Sequence, residues 1–116
     1  MSVRLRRVYE PPEPDDGLRV LVDRLWPRGL AKDAARVDEW PKGLTPSDEL
    51  RKWYHAGEGP YEEFRRRYSA ELDAPEAAEL LDGLRASARA GRVTLLTASK
   101  RPESSHAQVL VELLGG

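Results

Sequence analysis

Three consecutive apolar residues, Val20, Leu21 and Val22, stand in the middle of the segment 18–25. A strand with one solvent-facing side alternates apolar and polar residues, whereas an uninterrupted apolar run indicates burial on both faces. We therefore interpret residues 18–25 as a central strand of a parallel sheet that helices cover. A second apolar run, at residues 93–98, has the same character and predicts another buried strand.

The spacing of apolar residues predicts the remaining elements. Residues 3–9 alternate and indicate a short strand near a sheet edge. Helical spacing predicts helices at about 46–55, 60–72, 75–90 and 103–114. Residues 30–44 fit either a helical turn or an extended piece. Strands that alternate with helices favour an α/β fold, a single three-layer domain over residues 1–116 with a small, mostly parallel sheet covered by helices.

Composition excludes several classes of protein. The chain has 116 residues and no cysteine, which rules out disulfide scaffolds, thiol catalysis and cysteine-based metal sites. Only His55 and His106 offer imidazole ligands, so we expect no metal site. No apolar stretch is long enough for a signal peptide or a membrane span, so we expect a cytoplasmic protein without membrane contact. A formal net charge of −1 disfavours non-specific nucleic-acid binding.

Ligands of open parallel sheets bind beyond the carboxyl ends of the strands. This rule selects Asp23, Arg24, Trp26 and Arg28 after the first apolar run, and Thr97, Lys100, Ser105 and His106 after the second. Guanidinium groups bind phosphate and carboxylate in a bidentate way, and the start of a helix adds unpaired N–H groups. The two segments thus predict a site for a small anionic ligand. Arg24 and Arg28 would hold the anion, with His106 as the candidate catalytic group for proton transfer.

Each of these residues also has a simpler interpretation. Asp23 could pair with a neighbouring arginine, Trp26 could fill the core beneath the turn, and His106 could be a surface histidine without a role. The arginine run 65–67 is typical of a solvated helix face that glutamates at helical spacing balance. The sequence has no glycine-rich phosphate loop, no nucleophile elbow and no zinc-protease motif, so we expect no cofactor.

A long motif at residues 19–29, RVLVDRLWPRG, resembles a motif of a known family. Further matching segments lie at 46–47, 49–53, 63–68, 71–72, 93–96 and 106–107. Together they make the chain similar, over nearly its whole length, to the YeaO-like family, a small bacterial family within a larger grouping of domains of unknown function. The resemblance implies a compact α/β domain and brings no established activity, substrate or cofactor.

Other branches of that grouping carry a cysteine at a strand end and a Cys-His-Arg sequence at the start of the next helix. By this looser resemblance, Thr97 lies at the position of the first cysteine and His106 matches the histidine. Thr97 also replaces the tyrosine, and Ser105 the asparagine, that are usual in the YeaO-like pattern. A thiol mechanism is impossible in this chain because it has no cysteine.

The sequence is compatible with three different functions. The first is an enzyme or sensor that binds a small phosphorylated, nucleotide-like ligand. The second is a nucleic-acid-associated module that uses Arg4, Arg6, Arg7 and the run 65–67, with aromatic side chains stacked on bases. The third is a partner-binding or structural protein with an exposed apolar patch around residues 40–44 (Trp40 and Leu44). The sequence does not predict the oligomeric state.

Overall fold

A computed structural model describes residues 2–115 of the chain, so both ends of the predicted range 1–116 lie outside the described residues. Its sheet has three parallel strands in the spatial order β1–β3–β2: β1 (Ser2–Arg7), β2 (Leu18–Leu21) and β3 (Arg92–Thr97). The helices of this part of the chain are α1 (Lys32–Ala35), α2 (Asp48–His55), α3 (Tyr61–Glu71), α4 (Pro75–Ala90) and α5 (His106–Leu113). The predicted α/β class with a small parallel sheet is confirmed.

The central strand of the sheet is β3, so the interpretation of residues 18–25 as a central strand is wrong. β2 is short and lies at one edge. The chain beyond α1 covers that edge, because the Leu21 N–H donates a hydrogen bond to the Glu39 carbonyl at 2.9 Å. Val20 and Leu21 are therefore fully buried at an edge position. A covered edge strand and a central strand produce the same apolar run, which is why the sequence did not distinguish them.

Helices α2 to α5 form the main core with one face of the sheet. Their buried side chains include Leu50, Phe64, Tyr68, Leu81, Leu84 and Leu110, which pack with Val20, Val93 and Leu95 of the strands. The Tyr68 hydroxyl donates a hydrogen bond to the Leu44 carbonyl, so the polar end of this buried ring is satisfied. No helix within residues 2–115 is both long and apolar enough to cross a membrane.

A smaller core lies on the opposite face of the sheet. Trp26 and Trp40 meet edge to face there, with ring centroids 5.6 Å apart, in the same cluster as Leu21. Helix α1 lies on this side, since its Ala35 carbonyl accepts a hydrogen bond from the Arg19 guanidinium at 2.8 Å. This layer consists of one short helix and irregular chain that the two indole rings hold in place.

A buried ion cluster around Asp16 joins all three strands. The Asp16 carboxylate accepts hydrogen bonds from Arg4 and Arg6 of β1 and from Arg19 of β2; the distance to the Arg6 guanidinium is 3.0 Å. From β3, the Thr94 hydroxyl donates to the Asp16 backbone carbonyl at 2.7 Å. Asp16 is only 1% exposed, so its charge depends on these partners.

Candidate functional site

A cavity of about 400 Å³ lies at the carboxyl ends of β2 and β3. Its lining comes from four parts of the chain. These are residues after β2 (Asp23, Arg24, Leu25), residues at and after β3 (Thr97, Ser99, Arg101, Ser104, Ser105, His106), residues of α2 and α3 (Arg51, Tyr54, His55, Phe64), and Thr45 with Pro46. Its size falls within the range of small-molecule sites. The two segments that follow the apolar strands thus meet at one cavity, as the strand-end rule predicts.

Five of the eight predicted site residues line this cavity, and three do not. The five are Asp23, Arg24, Thr97, Ser105 and His106. Trp26 belongs to the smaller core on the other face, where its indole N–H donates to the Leu30 carbonyl at 2.7 Å. Trp26 therefore fills the core beneath the turn, which is the simpler of the two interpretations given above. Arg28 and Lys100 are exposed and lie outside the cavity lining, although Ser99 and Arg101, the neighbours of Lys100, are part of it.

Helix caps fix the side chains that reach the cavity from α2 and α5. Ser47 precedes α2, and its hydroxyl accepts the Leu50 N–H at 3.2 Å. Arg51 and Tyr54 are three residues apart on that helix and face the cavity together. Ser105 caps α5, because its hydroxyl accepts the Ala107 N–H at 3.2 Å. His106 consequently occupies the first turn of α5, beside the strand ends.

Asp23 connects the ends of β2 and β3. Its carboxylate accepts hydrogen bonds from the Thr97 hydroxyl and the Ala98 N–H, both at 2.7 Å, and faces His106 Nε2 at 3.3 Å. Burial by itself raises the pKa of Asp23. The hydrogen bonds from His106, Ala98 and Thr97 outweigh that effect and leave the pKa below its ordinary value. The Trp40 indole N–H donates to the Asp23 carbonyl at 2.7 Å and fixes the turn. Asp23 is thus an ionised anchor of the cavity wall.

The surroundings of His106 determine its tautomer. Nε2 lies 2.8 Å from the Val22 carbonyl oxygen and 3.3 Å from the Asp23 carboxylate. Both groups are acceptors, so Nε2 carries a hydrogen and donates it. A neutral His106 then has its lone pair on Nδ1. The ring can accept a hydrogen bond at Nδ1, and in its protonated form it is a cation that Asp23 balances.

We expect nitrogen-15 NMR of the imidazole rings to show neutral His106 as the Nε2–H tautomer. Its Nε2 proton should exchange slowly with water, because the Val22 carbonyl holds it in a partly buried position. His55 is exposed and provides the internal control, with no slowly exchanging ring proton expected. A spectrum in which His106 carries its proton on Nδ1 would contradict the assignment.

The hydroxyl groups of Thr97 and Ser105 are engaged in structural hydrogen bonds. A nucleophilic hydroxyl donates its proton to a neighbouring base in the arrangements that activate it. Here the Thr97 hydroxyl donates to the Asp23 carboxylate, and the Ser105 hydroxyl donates to the Pro102 carbonyl at 2.7 Å. His106 itself donates through Nε2 to a backbone carbonyl. Neither of these two hydroxyls is therefore aligned with an imidazole acceptor.

Arginines give the rim of the cavity a positive character. Arg24 and Arg51 both form ion pairs with the same carboxylate oxygen of Asp48, the Arg51 contact being 2.9 Å long. Arg101 also lines the cavity, and no carboxylate of residues 2–115 lies within ion-pair distance of it. The three arginines outnumber the two nearby carboxylates, those of Asp23 in the cavity wall and of Asp48 beside it, which leaves an excess of positive charge.

The inner wall of the cavity is aromatic. Tyr54 and Phe64 stack with ring centroids 4.4 Å apart and planes inclined by 20°. The Tyr54 hydroxyl donates to the Ser104 carbonyl at 2.9 Å, and burial raises the pKa of this phenol. The cavity thereby combines a flat apolar wall with charged groups at its rim, which is the usual composition of a small-molecule site.

One acidic group outside the cavity has the spacing of metal ligands. Glu13, Asp15 and Asp16 offer carboxylate oxygens within 4.8 Å of one another. Asp16, however, is already paired with Arg4, Arg6 and Arg19, and these cations repel a metal ion. The group is better described as an ion-pair cluster than as a metal centre.

The fold and the cavity define a small α/β protein with a charged, partly aromatic cavity at the strand ends. The chain belongs to the family described as "Inactive DUF488-N3 subclade", whose model matches residues 2–116. It is 49% identical over 115 residues to Uncharacterized protein Rv3073c of Mycobacterium tuberculosis, a match that covers 98% of this chain and 94% of that protein. It is 44% identical over 116 residues to Uncharacterized protein YeaO of Escherichia coli, covering 98% and 97%. No solved structure matches the chain. The resemblance to the YeaO-like family is confirmed.

Proposed function

We propose that the protein binds a small anionic ligand, phosphorylated and nucleotide-like in size, at the carboxyl ends of β2 and β3, and that it does so without converting it. One observation carries the proposal: Arg24, Arg51 and Arg101 line the same cavity of about 400 Å³, beside a stacked aromatic wall. Guanidinium groups suit phosphate oxygens, and the aromatic wall suits a flat or apolar part of the ligand. A cytoplasmic location is part of this proposal.

Two further points support binding without turnover. The cavity hydroxyls of Thr97 and Ser105 donate to a carboxylate and to a backbone carbonyl, so neither is prepared for attack. The family description contains the word "Inactive". His106, the catalytic candidate from the sequence, then serves as a hydrogen-bonding group of the cavity wall and not as a general base.

The alternative functions have less support from the side chains that they require. In the arginine run, Arg65 pairs with Glu112, while Arg66 and Arg67 both pair with Glu63. These ion pairs reduce the charge available to phosphates of a nucleic acid. The apolar patch proposed around Trp40 and Leu44 is also absent from the surface, because Leu44 is fully buried and Lys42 covers the Trp40 ring at 4.1 Å.

A screen of phosphorylated small molecules tests the proposal, with inorganic phosphate and nucleoside monophosphates as the first probes. Binding should raise the melting temperature and shift amide NMR signals at residues 23–25 and 97–106. The substitution Arg101→Ala should weaken binding about tenfold or more, because a hydrogen bond to a charged group contributes ~1.5–3 kcal/mol.

Arg28→Ala is the matched control for Arg101→Ala, since it removes the same charge from an exposed arginine outside the cavity. Binding should be unchanged in this variant. The proposal fails if no probe alters the melting temperature or the spectrum of the parent protein. It fails equally if both arginine variants lose the same affinity, because the ligand would then respond to overall charge and not to the cavity.

A further inference from the structure

One carboxylate oxygen organises two of the arginines at the cavity. Asp48 Oδ1 accepts a hydrogen bond from Arg24 and another, at 2.9 Å, from Arg51. Both arginines line the cavity, whereas Asp48 is not among the lining residues. Asp48 thus contacts two arginines of the cavity wall without being part of that wall.

Without this carboxylate the two arginines would not stay together. Two guanidinium groups that contact one oxygen are close enough to repel each other, and their long side chains have many rotamers. Each of the three side chains is one-third to one-half exposed, so the ion pairs contribute little to the stability of the fold. The main effect of the shared carboxylate is therefore to hold the two arginines next to each other at the rim of the cavity.

The paired guanidinium groups favour one class of anion. A carboxylate has two oxygens, and a single guanidinium satisfies both in a bidentate contact. A phosphate monoester has three terminal oxygens and can accept hydrogen bonds from two guanidinium groups that approach from different directions. The N–H groups of Arg24 and Arg51 that Asp48 leaves unused are the donors available for this purpose.

We propose that Asp48 is a positioning residue, which holds Arg24 and Arg51 side by side so that the cavity selects a terminal phosphate group over a carboxylate. This inference rests on the proposed function and names the ligand class for the same site. Asp48 acts through the arginines and does not itself contact the ligand. The preorganised pair saves the conformational entropy that each arginine would otherwise lose on binding.

NMR titration with inorganic phosphate, at fixed low ionic strength, measures the effect. Asp48→Ala should weaken phosphate binding about fivefold, the equivalent of ~1 kcal/mol, although this variant gains positive charge. Asp48→Asn should bind within about twofold of the parent, because the amide oxygen still accepts from both arginines. Asp82→Ala is the matched control, since Asp82 forms a similar exposed pair with Arg85 on α4 and lies outside the cavity lining.

The outcomes separate this inference from the proposed function. If Asp48→Ala binds phosphate as tightly as the parent or more tightly, Asp48 is not a positioning residue. An asparagine variant that loses as much affinity as the alanine variant would also overturn the inference, as would a parent protein that prefers acetate to phosphate. Loss of binding in Arg101→Ala alone would leave the proposed function standing. A parent protein that binds neither phosphate nor nucleoside monophosphates would remove both.

Discussion

Replacement of Asp16 by alanine is expected to lower the free energy of unfolding by about 3–5 kcal/mol, as is usual when one partner of a buried ion pair is removed. Asp16 is 1% exposed, and its partner Arg19 is only 4% exposed. The substitution leaves the Arg19 charge buried without a carboxylate, although the Ala35 carbonyl still accepts a hydrogen bond from it. It also removes the contacts from Arg4 and Arg6 that tie β1 to β2. Urea denaturation of the parent and the variant measures the difference.

Asp15→Ala is the control, because it removes the same charge from the neighbouring residue. The Asp15 side chain is 70% exposed and its contact with Arg4 is 3.6 Å long, so its loss should cost about 0–1 kcal/mol. Similar effects of the two substitutions would mean that the buried cluster contributes no more than a surface pair.

The stabilisation from Asp16 should depend on pH in a defined direction. Burial by itself raises the pKa of Asp16, whereas the hydrogen bonds from the Glu13 N–H, Arg19 and Arg4 and the charge of Arg6 lower it, and the net pKa lies below the ordinary value. The folded state therefore binds a proton less readily than the unfolded chain. The stabilisation is complete above about pH 4–5 and is lost as the pH falls through the folded pKa. The difference between the parent and Asp16→Ala should shrink in that acidic range and stay constant above it.

Local sequence patterns predicted most elements of this fold, but they left α1 undecided and extended the strand at 18–25 beyond the end of β2 at Leu21. The predicted helices at 60–72 and 75–90 correspond to α3 and α4, and the edge strand predicted at 3–9 corresponds to β1. Each of these predictions depends only on the spacing of apolar residues within one element. The order of the strands depends on which segments pair, and pairing leaves no local pattern when loops cover an edge strand as completely as they cover β2.

The candidate site also contains residues that the sequence predicted and residues that depend on the tertiary structure. Parallel strands end at one edge of the sheet, so the rule that brought Asp23 and His106 together needs no knowledge of side-chain direction. The direction of Trp26 does depend on how the chain turns after β2, and its ring packs on the opposite face. Arg51 and Tyr54 were missed because they belong to a helix that follows neither strand. Their spacing of three residues was the available signal, and it indicates a shared helix face without showing what that face covers.

Gly17→Ala is expected to destabilise the fold by about 2–6 kcal/mol, for two reasons. Gly17 has a φ of +66° and a ψ of −135°, which is outside the left-handed helical region and costs a residue with a side chain roughly 1–3 kcal/mol. A Cβ at this position would lie 2.2 Å from the carbonyl oxygen of Arg92, at the start of β3. That contact involves backbone, and β3 cannot shift easily because it pairs with both other strands. Overpacking of this kind adds about 1–3 kcal/mol.

Gly57→Ala is the control for the cost of a positive φ alone. Gly57 has a φ of +73°, close to that of Gly17, but a Cβ there would meet no atom within 4 Å. Only the conformational cost should apply, so this variant should lose about 1–2 kcal/mol. The excess loss in Gly17→Ala, measured by urea denaturation, then reports the close approach to Arg92 together with the ψ that Gly17 adopts. If the two alanine variants were destabilised equally, neither the contact with Arg92 nor this ψ would add to the cost of a positive φ.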